Sequence, residues 1–121
     1  MRSSSGETAA RGRIGEDATA RLYEARGYRV LERNWRCALG EVDVIAQRDD
    51  VLVVCEVKSR SGVAFGGGYE AVTWSKRRRL RRLAEAFLAE RRIEPARVRF
   101  DVASVWLGRR GADVELFEDA F

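Results

Sequence analysis

Apolar residues recur along this chain with two periods, one typical of helices and one typical of strands. The helical period occurs in residues 14–26, which stop at Gly27, and in residues 75–92, which begin at Ser75 as N-cap and end before Pro95. The predicted buried stripes are Ile14, Ala18, Leu22 and Ala25 in the first helix and Leu80, Leu83, Ala84, Phe87 and Leu88 in the second.

Strand patterns fill most of the remaining chain, in segments 28–33, 40–47, 51–58, 98–106 and 114–118. Between them, residues 34–39 are predicted as a connection, the glycine- and serine-rich residues 59–68 as a loop and residues 108–111 as a turn. The order is therefore α-β-β-β-α-β-β. Because a helix separates the third and fourth strands, those two strands are expected to be parallel with a right-handed crossover. The predicted class is α/β, with a mixed sheet flanked by helices.

The composition is that of one globular domain. The chain has 121 residues, of which 45% are apolar and 35% charged, so it can bury a single modest core. Residues 1–12 are predicted as a flexible N-terminus and residues 13–121 as the domain. The chain shows neither a signal peptide nor a long apolar stretch, which favours the cytoplasm.

Histidine is missing from the chain, and lysine is nearly so. Without histidine, no Ser-His-Asp or Cys-His nucleophile, histidine base or histidine-ligated metal is possible. Of the 23 cationic residues, only Lys58 and Lys76 are lysines, and the others are arginines. Codon bias would explain the arginines, but arginine replaces lysine poorly where a compact or deprotonatable amine is needed. Both lysines are therefore candidates for chemistry.

The hairpin formed by the second and third strands carries the candidate site. If Asp49-Asp50 is a two-residue turn, Arg48 pairs with Val51 and the rest of the register follows. One face then pairs Val42 with Val57, Val44 with Cys55 and Ala46 with Val53, while the other pairs Gln47 with Leu52, Ile45 with Val54, Asp43 with Glu56 and Glu41 with Lys58. The first face is predicted to be core, and the second becomes charged at the end far from the turn.

Two opposed carboxylates inside a sheet repel each other, since directly paired Cβ atoms lie only about 4.5–5.5 Å apart. Two things would relieve the repulsion between Asp43 and Glu56: one carboxyl could keep its proton, or a cation could lie between them. Mg²⁺ prefers such oxygen ligands, with Mn²⁺ as a substitute. Lys58, two residues after Glu56 on the same face, could orient or deprotonate a metal-bound water. This set predicts metal-dependent phosphodiester hydrolysis. The alternative is a Glu41–Lys58 ion pair at a strand end, with the two carboxylates partly solvated.

A block of positive charge opens the second helix. Six of the seven residues 76–82 are basic, namely Lys76, Arg77, Arg78, Arg79, Arg81 and Arg82. A solvated helix face is one explanation, but so concentrated a block is better explained by a polyanion such as DNA. Lys76 extends the apolar stripe and is expected to face the carboxylates, whereas the arginines could bind phosphates. Trp74 and Tyr69 could stack on an unpaired base or serve as packing residues.

Several short motifs, taken in order, resemble the bacterial YraN-like family. They are Gly15-Glu16, Gly27-Tyr28, Arg33-Asn34, Gly40-Glu41-Val42-Asp43, Glu56-Val57-Lys58, Phe65-Gly66, Glu70-Ala71-Val72 with Lys76, Arg99-Phe100-Asp101-Val102 and Ala120-Phe121. The resemblance covers nearly everything from about residue 12 onward. That family is similar to archaeal Holliday junction resolvases and to nucleases of the restriction-endonuclease-like PD-(D/E)xK fold.

The resemblance implies that fold, a Mg²⁺ site, a branched or otherwise structured DNA substrate and a homodimer. It assigns Asp43 and Glu56 as metal carboxylates, Lys58 as the catalytic lysine and Glu16 as a supporting carboxylate from the first helix. The helical period places Glu16 opposite the predicted buried stripe, so both sides of that helix would have to be partly covered. Two other functions remain open: a catalytically silent nucleic-acid-binding accessory module in DNA repair, recombination or uptake, and a protein-interaction domain.

Overall fold

The structure is a computed structural model that describes residues 3–61 and 73–121, with side chains from residues 12–60 and 73–121. The elements, in chain order, are α1 (Ser3–Ala25), β1 (Arg29–Cys37), β2 (Gly40–Arg48), β3 (Val51–Ser61), α2 (Trp74–Arg91), β4 (Arg97–Gly108) and β5 (Gly111–Phe117). The predicted order α-β-β-β-α-β-β and the α/β class are confirmed. Neither described helix has the length and apolar character needed to cross a membrane.

The five strands form one mixed sheet in the order β1-β2-β3-β4-β5. The pairs β1–β2, β2–β3 and β4–β5 are antiparallel, and β3–β4 is parallel. The parallel pair is the one predicted, since α2 separates β3 from β4 in the chain. The sheet is thus a three-stranded meander joined to a β4–β5 hairpin through one parallel contact.

The predicted connection over residues 34–39 is wrong, because β1 continues to Cys37. Only Ala38 and Leu39 form the turn to β2, and Gly40 after them has φ +142°, which favours glycine. Trp35, Arg36 and Cys37 of this run pair with β2, and β1 has a bulge between Val30 and Glu32. Residues 59–61 of the predicted loop belong to β3, and its remainder, with Tyr69, lies outside the described residues.

Helix α2 packs as its period predicts. Leu80, Leu83, Ala84 and Phe87 are buried, and Leu88 packs against the same cluster. Its N-cap is Thr73 rather than Ser75, because the Thr73 side chain accepts the backbone N–H of Lys76. The helix ends at Arg91, and Arg92 caps it in the left-handed conformation, ahead of Pro95.

Helix α1 buries a different side from the one predicted. Ile14 is 48% exposed, and the fully covered positions are Gly15, Thr19, Ala20 and Tyr23. Small residues explain the change, since a Cβ at Gly15 would collide with the side chain of Ser59 on β3. The helix also begins at Ser3, ahead of the predicted start at residue 14. Flexibility of residues 1–12 stays a prediction.

Two core clusters cover the two faces of the sheet. One joins α2 to Trp35, Val42, Ile45, Leu52, Val54 and Phe100, and the other joins Tyr23 of α1 to Tyr28, Val44, Ala46, Val53, Cys55 and Ala103. The predicted hairpin register holds from Arg48–Val51 to Val44–Cys55. Val42 departs from the prediction because it packs on the α2 side and not with Val44. The change of side falls at Asp43.

Candidate functional site

The site lies where β2 and β3 separate. Their ladder ends at Val44–Cys55, so Asp43 and Glu56 are not ladder partners, contrary to the predicted register. Instead, the Asp43 carboxylate accepts the backbone N–H of Val57 at 2.7 Å. A side chain thereby takes over a hydrogen bond that the next rung of the ladder would have made. Because the ladder ends there, Asp43 and Glu56 are not directly opposed across the strands, but their side chains remain close to each other.

Asp43 is held in surroundings that disfavour its negative charge. Desolvation by burial is the main cause that raises its pKa, to about 7, and the nearby carboxylates of Glu56, Glu16 and Glu41 raise it further. The hydrogen bond from Val57 opposes the shift but does not cancel it. At neutral pH this carboxyl is therefore partly protonated unless a cation nearby stabilises its charge.

Both lysines of the chain reach Glu56. The Lys76 ammonium contacts Glu56 Oε2 directly, and Lys58 Nζ lies 3.7 Å from the same oxygen. The hydrogen bond to Glu56 raises the pKa of Lys76, which is therefore charged over the physiological range. The prediction that Lys76 faces the carboxylates is confirmed. Glu41 pairs with Arg36 across the β1–β2 hairpin, at 3.5 Å, so the alternative Glu41–Lys58 pair does not form.

Glu16 reaches this region from α1. Its carboxylate accepts a hydrogen bond from Asn34 Nδ2 at 2.9 Å, and the neighbouring Asp17 pairs with Arg33. Asn34 has φ +54°, a left-handed conformation that asparagine tolerates better than most residues. The two contacts fix the first helix against β1. Glu16 is close enough to raise the pKa of Asp43 and lines an open cavity of about 490 Å³ with Asn34.

The donor set suits a hard divalent ion. Asp43 and Glu56 offer carboxylate oxygens, and a cation beside Asp43 would stabilise the charge that burial opposes. Within residues 3–61 and 73–121, no three acidic or cysteine side chains come together closely enough to hold an ion by themselves. Mg²⁺ commonly takes one or two carboxylates and completes its shell with water and phosphate. Asp43 and Glu56 match that mode of binding in the number and type of their donor groups.

The basic block divides into two groups on α2. Arg77 and Arg81 lie over the rings of Phe121 and Phe100, at 5.7 and 5.4 Å from the ring centroids. Arg78, Arg79 and Arg82 instead line a cavity of about 330 Å³. The sequence predicted all of them as phosphate-binding residues without this distinction. The aromatic partners of the first group come from β4 and the C-terminal segment, far along the chain.

One buried network near the site has no counterpart in the sequence-based predictions. Asp101 on β4 is fully buried and accepts hydrogen bonds from the Tyr23 hydroxyl at 2.6 Å and from Arg99 at 2.9 Å. It also accepts the backbone N–H of Asp119. Burial raises the pKa of Tyr23, which therefore stays a hydrogen-bond donor. The network ties α1 and the C-terminal segment to the sheet. The only feature of the sequence that indicates this network is the aspartate inside the apolar run 98–106.

Comparison with known proteins gives relatives along most of the chain. The model of the uncharacterised protein family UPF0102 matches residues 15–105. A UPF0102 protein of Parafrankia sp. is 52% identical over 101 residues, covering 84% of this chain and 86% of the relative. One of Moorella thermoacetica is 49% identical over 113 residues, covering 92% and 94%, and one of Streptomyces coelicolor is 50% identical over 107 residues, covering 87% and 82%. The range matched by the family model includes Glu16, Asp43, Glu56, Lys58 and Lys76.

Proposed function

Because the chain belongs to the uncharacterised protein family UPF0102, its activity has to be inferred from the site, and we propose that it is a metal-dependent endonuclease. The reaction is hydrolysis of a phosphodiester bond in structured or branched DNA, with Mg²⁺ as the cofactor and Mn²⁺ as its substitute. The resemblance to resolvases and restriction-endonuclease-like nucleases supports this class, and so does the absence of histidine, which such a site does not need.

The observation that carries the proposal is the position of Asp43. Its carboxyl lies in the gap between two strands, accepts the Val57 N–H, and is near enough to Glu56, Glu16 and Glu41 for their charges to raise its pKa. Such an arrangement costs stability in a protein that only has to fold. Carboxyl groups with perturbed pKa values cluster at functional sites. A divalent cation bound by Asp43 and Glu56 together would stabilise the negative charge that burial disfavours. When bound, the ion supplies charge neutralisation on the phosphate and an acidified water.

The two lysines then have separate tasks. Lys58 lies 3.7 Å from Glu56 and is free to orient the attacking water or exchange a proton with it. Lys76 contacts Glu56 from the first turn of α2. From that position its ammonium group would bind an incoming phosphate. Glu16, hydrogen-bonded to Asn34, supports the acidic side of the site from α1.

DNA is the substrate class that the surrounding charge favours. The basic side chains of residues 77–82 follow Lys76 along the start of α2, so backbone phosphates beside the cleaved bond could be bound there. Each phosphate contact adds affinity that falls with salt concentration. The homodimer expected of resolvase-like nucleases belongs to the same proposal.

Cleavage of a branched DNA by the purified chain tests the proposal. A labelled four-way or flapped DNA should be nicked with Mg²⁺ or Mn²⁺ and left intact with a chelator. Asp43→Asn and Lys58→Ala should each lower the rate by about 10²-fold or more, with unchanged circular dichroism. Asp50→Asn is the matched control, because Asp50 is an acidic residue exposed in the β2–β3 turn and this variant should cleave normally. Equal cleavage by all three variants would exclude the mechanism.

A second candidate function rests on the contacts of Glu56. Two ammonium groups already approach one of its oxygens, which is also how a carboxylate is satisfied in a site that binds no metal. The chain would then be a silent nucleic-acid-binding module. That function predicts salt-sensitive DNA binding that a chelator does not affect, and no cleavage with any divalent metal.

A further inference from the structure

An aromatic side chain stands in solvent at the start of α2. Trp74 is 71% exposed, whereas Trp35 is buried against Phe87 in the core. Exposure of a large ring costs free energy that burial would have recovered. Trp74 is also two residues before Lys76, whose ammonium contacts Glu56. The ring therefore lies next to the candidate site in the chain and makes no contribution to the described core.

Arginine side chains continue the surface from this ring. Arg78 lies over Trp74, 5.1 Å from the ring centroid, and it also lines the cavity of about 330 Å³. The other described residues that line this cavity are Leu39, Ser75, Arg79 and Arg82. With Arg78, three of the five are arginines and none is acidic. We call Trp74 and this cavity the Trp74 surface.

The turn between β1 and β2 contributes Leu39 to the Trp74 surface. Leu39 in that turn is 45% exposed, and a Cβ at Gly40 would lie 3.4 Å from Arg79 Cδ. The hairpin turn therefore packs against the arginines of α2 and presents an apolar side chain beside them. The Trp74 surface therefore combines an aromatic ring, three arginines and a leucine, with Arg78 joining the ring to the cavity.

These features match the chemistry of an unpaired nucleotide strand. A flat exposed ring offers a stacking face, which a base inside a duplex cannot reach because its own faces are occupied. Arginines beside the ring would hold the phosphates that link successive bases. Leu39 in the same surface offers apolar contact. Duplex DNA would use the arginines but would leave Trp74 and Leu39 in water.

We propose that the Trp74 surface binds the single-stranded arm of a DNA substrate next to the cleavage site. This deepens the proposed function and rests on it for the identity of the substrate as DNA. The protein would then select DNA in which a duplex meets an unpaired segment. Trp74 stacks on a base of that segment, and Arg78, Arg79 and Arg82 hold its backbone.

Binding measured without divalent metal tests the proposal independently of cleavage. Two labelled probes are compared in chelator by fluorescence anisotropy: a blunt duplex, and the same duplex with a single-stranded oligo(dT) tail. The native chain should bind the tailed probe more tightly. Trp74→Ala should weaken binding of the tailed probe by roughly 5- to 150-fold, the range expected for loss of one base stack, and should leave the blunt duplex unchanged. Trp74→Phe should retain most of the preference.

Two further measurements separate stacking from charge. Oligo(dT) should quench the tryptophan fluorescence of the native chain much more than that of Trp74→Phe, which keeps only the buried Trp35 and the half-buried Trp106. A double Arg78→Ala, Arg82→Ala variant should bind the tailed probe less tightly than a double Arg109→Ala, Arg110→Ala variant. The second pair lies exposed in the β4–β5 turn and removes the same charge.

Each outcome decides the proposal. Equal affinity of Trp74→Ala and the native chain for the tailed probe overturns it, and so does a native chain that prefers the blunt duplex or binds neither probe. A tail preference that depends on Trp74 supports it even if no DNA is cleaved, in which case the endonuclease proposal fails alone. Cleavage with no effect of Trp74→Ala on binding leaves the endonuclease proposal intact and overturns this one.

Discussion

Replacing Asp43 by asparagine should make the protein more stable at neutral and alkaline pH. The native carboxyl has a pKa of about 7 in the folded chain, against an ordinary value of 3.8, chiefly because burial disfavours its charge. Asparagine has the same shape, stays neutral and can still accept the Val57 N–H that Asp43 accepts now. The substitution therefore removes a half-buried charge and keeps the hydrogen bond.

The sign and size follow from proton linkage. A carboxyl whose pKa is raised by folding binds its proton more tightly in the folded state, so its stability contribution is fully present below about pH 3.8 and is lost as pH rises to about 7. A shift of about three pKa units corresponds to roughly 4 kcal/mol. Between pH 5 and pH 8, the advantage of Asp43→Asn over the native chain should grow by about 2–3 kcal/mol.

Urea denaturation in chelator at several pH values measures this advantage. Asp50→Asn is the matched control, because Asp50 is exposed in the β2–β3 turn and its replacement should not change the pH dependence. At pH 8, Mg²⁺ at tenfold its dissociation constant should stabilise the native chain by about 1.4 kcal/mol and Asp43→Asn much less. Parallel pH profiles for the native chain and Asp43→Asn would refute the electrostatic account of Asp43.

Three further changes test the packing around the site, each by urea denaturation. Gly15→Ala should destabilise the chain by about 1–3 kcal/mol, because the new Cβ collides with Ser59; an equal loss in a Ser59→Ala background would contradict this reason. Tyr23→Phe should cost about 1.5–3 kcal/mol, because the buried carboxylate of Asp101 loses a hydrogen bond; an unchanged midpoint would show that the bond contributes nothing. Thr73→Ala should cost about 1 kcal/mol by removing the N-cap of α2, whereas Thr73→Ser should retain the stability.

The elements that the sequence predicted well are those whose apolar pattern is unambiguous. The hairpin register could be read because a two-residue turn between two apolar strands permits few pairings, and Asp49 adopts the positive φ that such a turn needs. Helix α2 followed its stripe for the same reason. Lys76 could be placed beside Glu56 because it extends that stripe by one turn.

The buried side of helix α1 is harder to predict from the sequence, because it is not the most apolar side of that helix. Gly15 and Thr19 lie against the sheet, where their small size matters more than their hydrophobicity. Tyr23 joins them because its hydroxyl reaches Asp101, a partner that lies 78 residues further along the chain. A hydrophobic period contains no information about close approach or about a distant polar partner. The same side of the helix carries Glu16 towards β1.

The separation of the two strands at Asp43 also could not be predicted from the sequence. Ideal pairing predicts that Asp43 lies opposite Glu56 and that the two carboxylates repel each other. In the structure the ladder ends at Val44–Cys55 and the Asp43 carboxylate accepts the Val57 N–H, while Glu56 remains near enough to raise the pKa of Asp43. Register rules describe continuous ladders, so they cannot say where a ladder ends.

The most direct test of the candidate site is the position of a divalent ion in a crystal soaked with Mn²⁺. Anomalous scattering locates manganese without reference to any model of the chemistry. The proposed function predicts a peak within coordination distance of carboxylate oxygens from both Asp43 and Glu56. A crystal in which Mn²⁺ binds only other carboxylates, with Lys76 still in contact with Glu56, would contradict it.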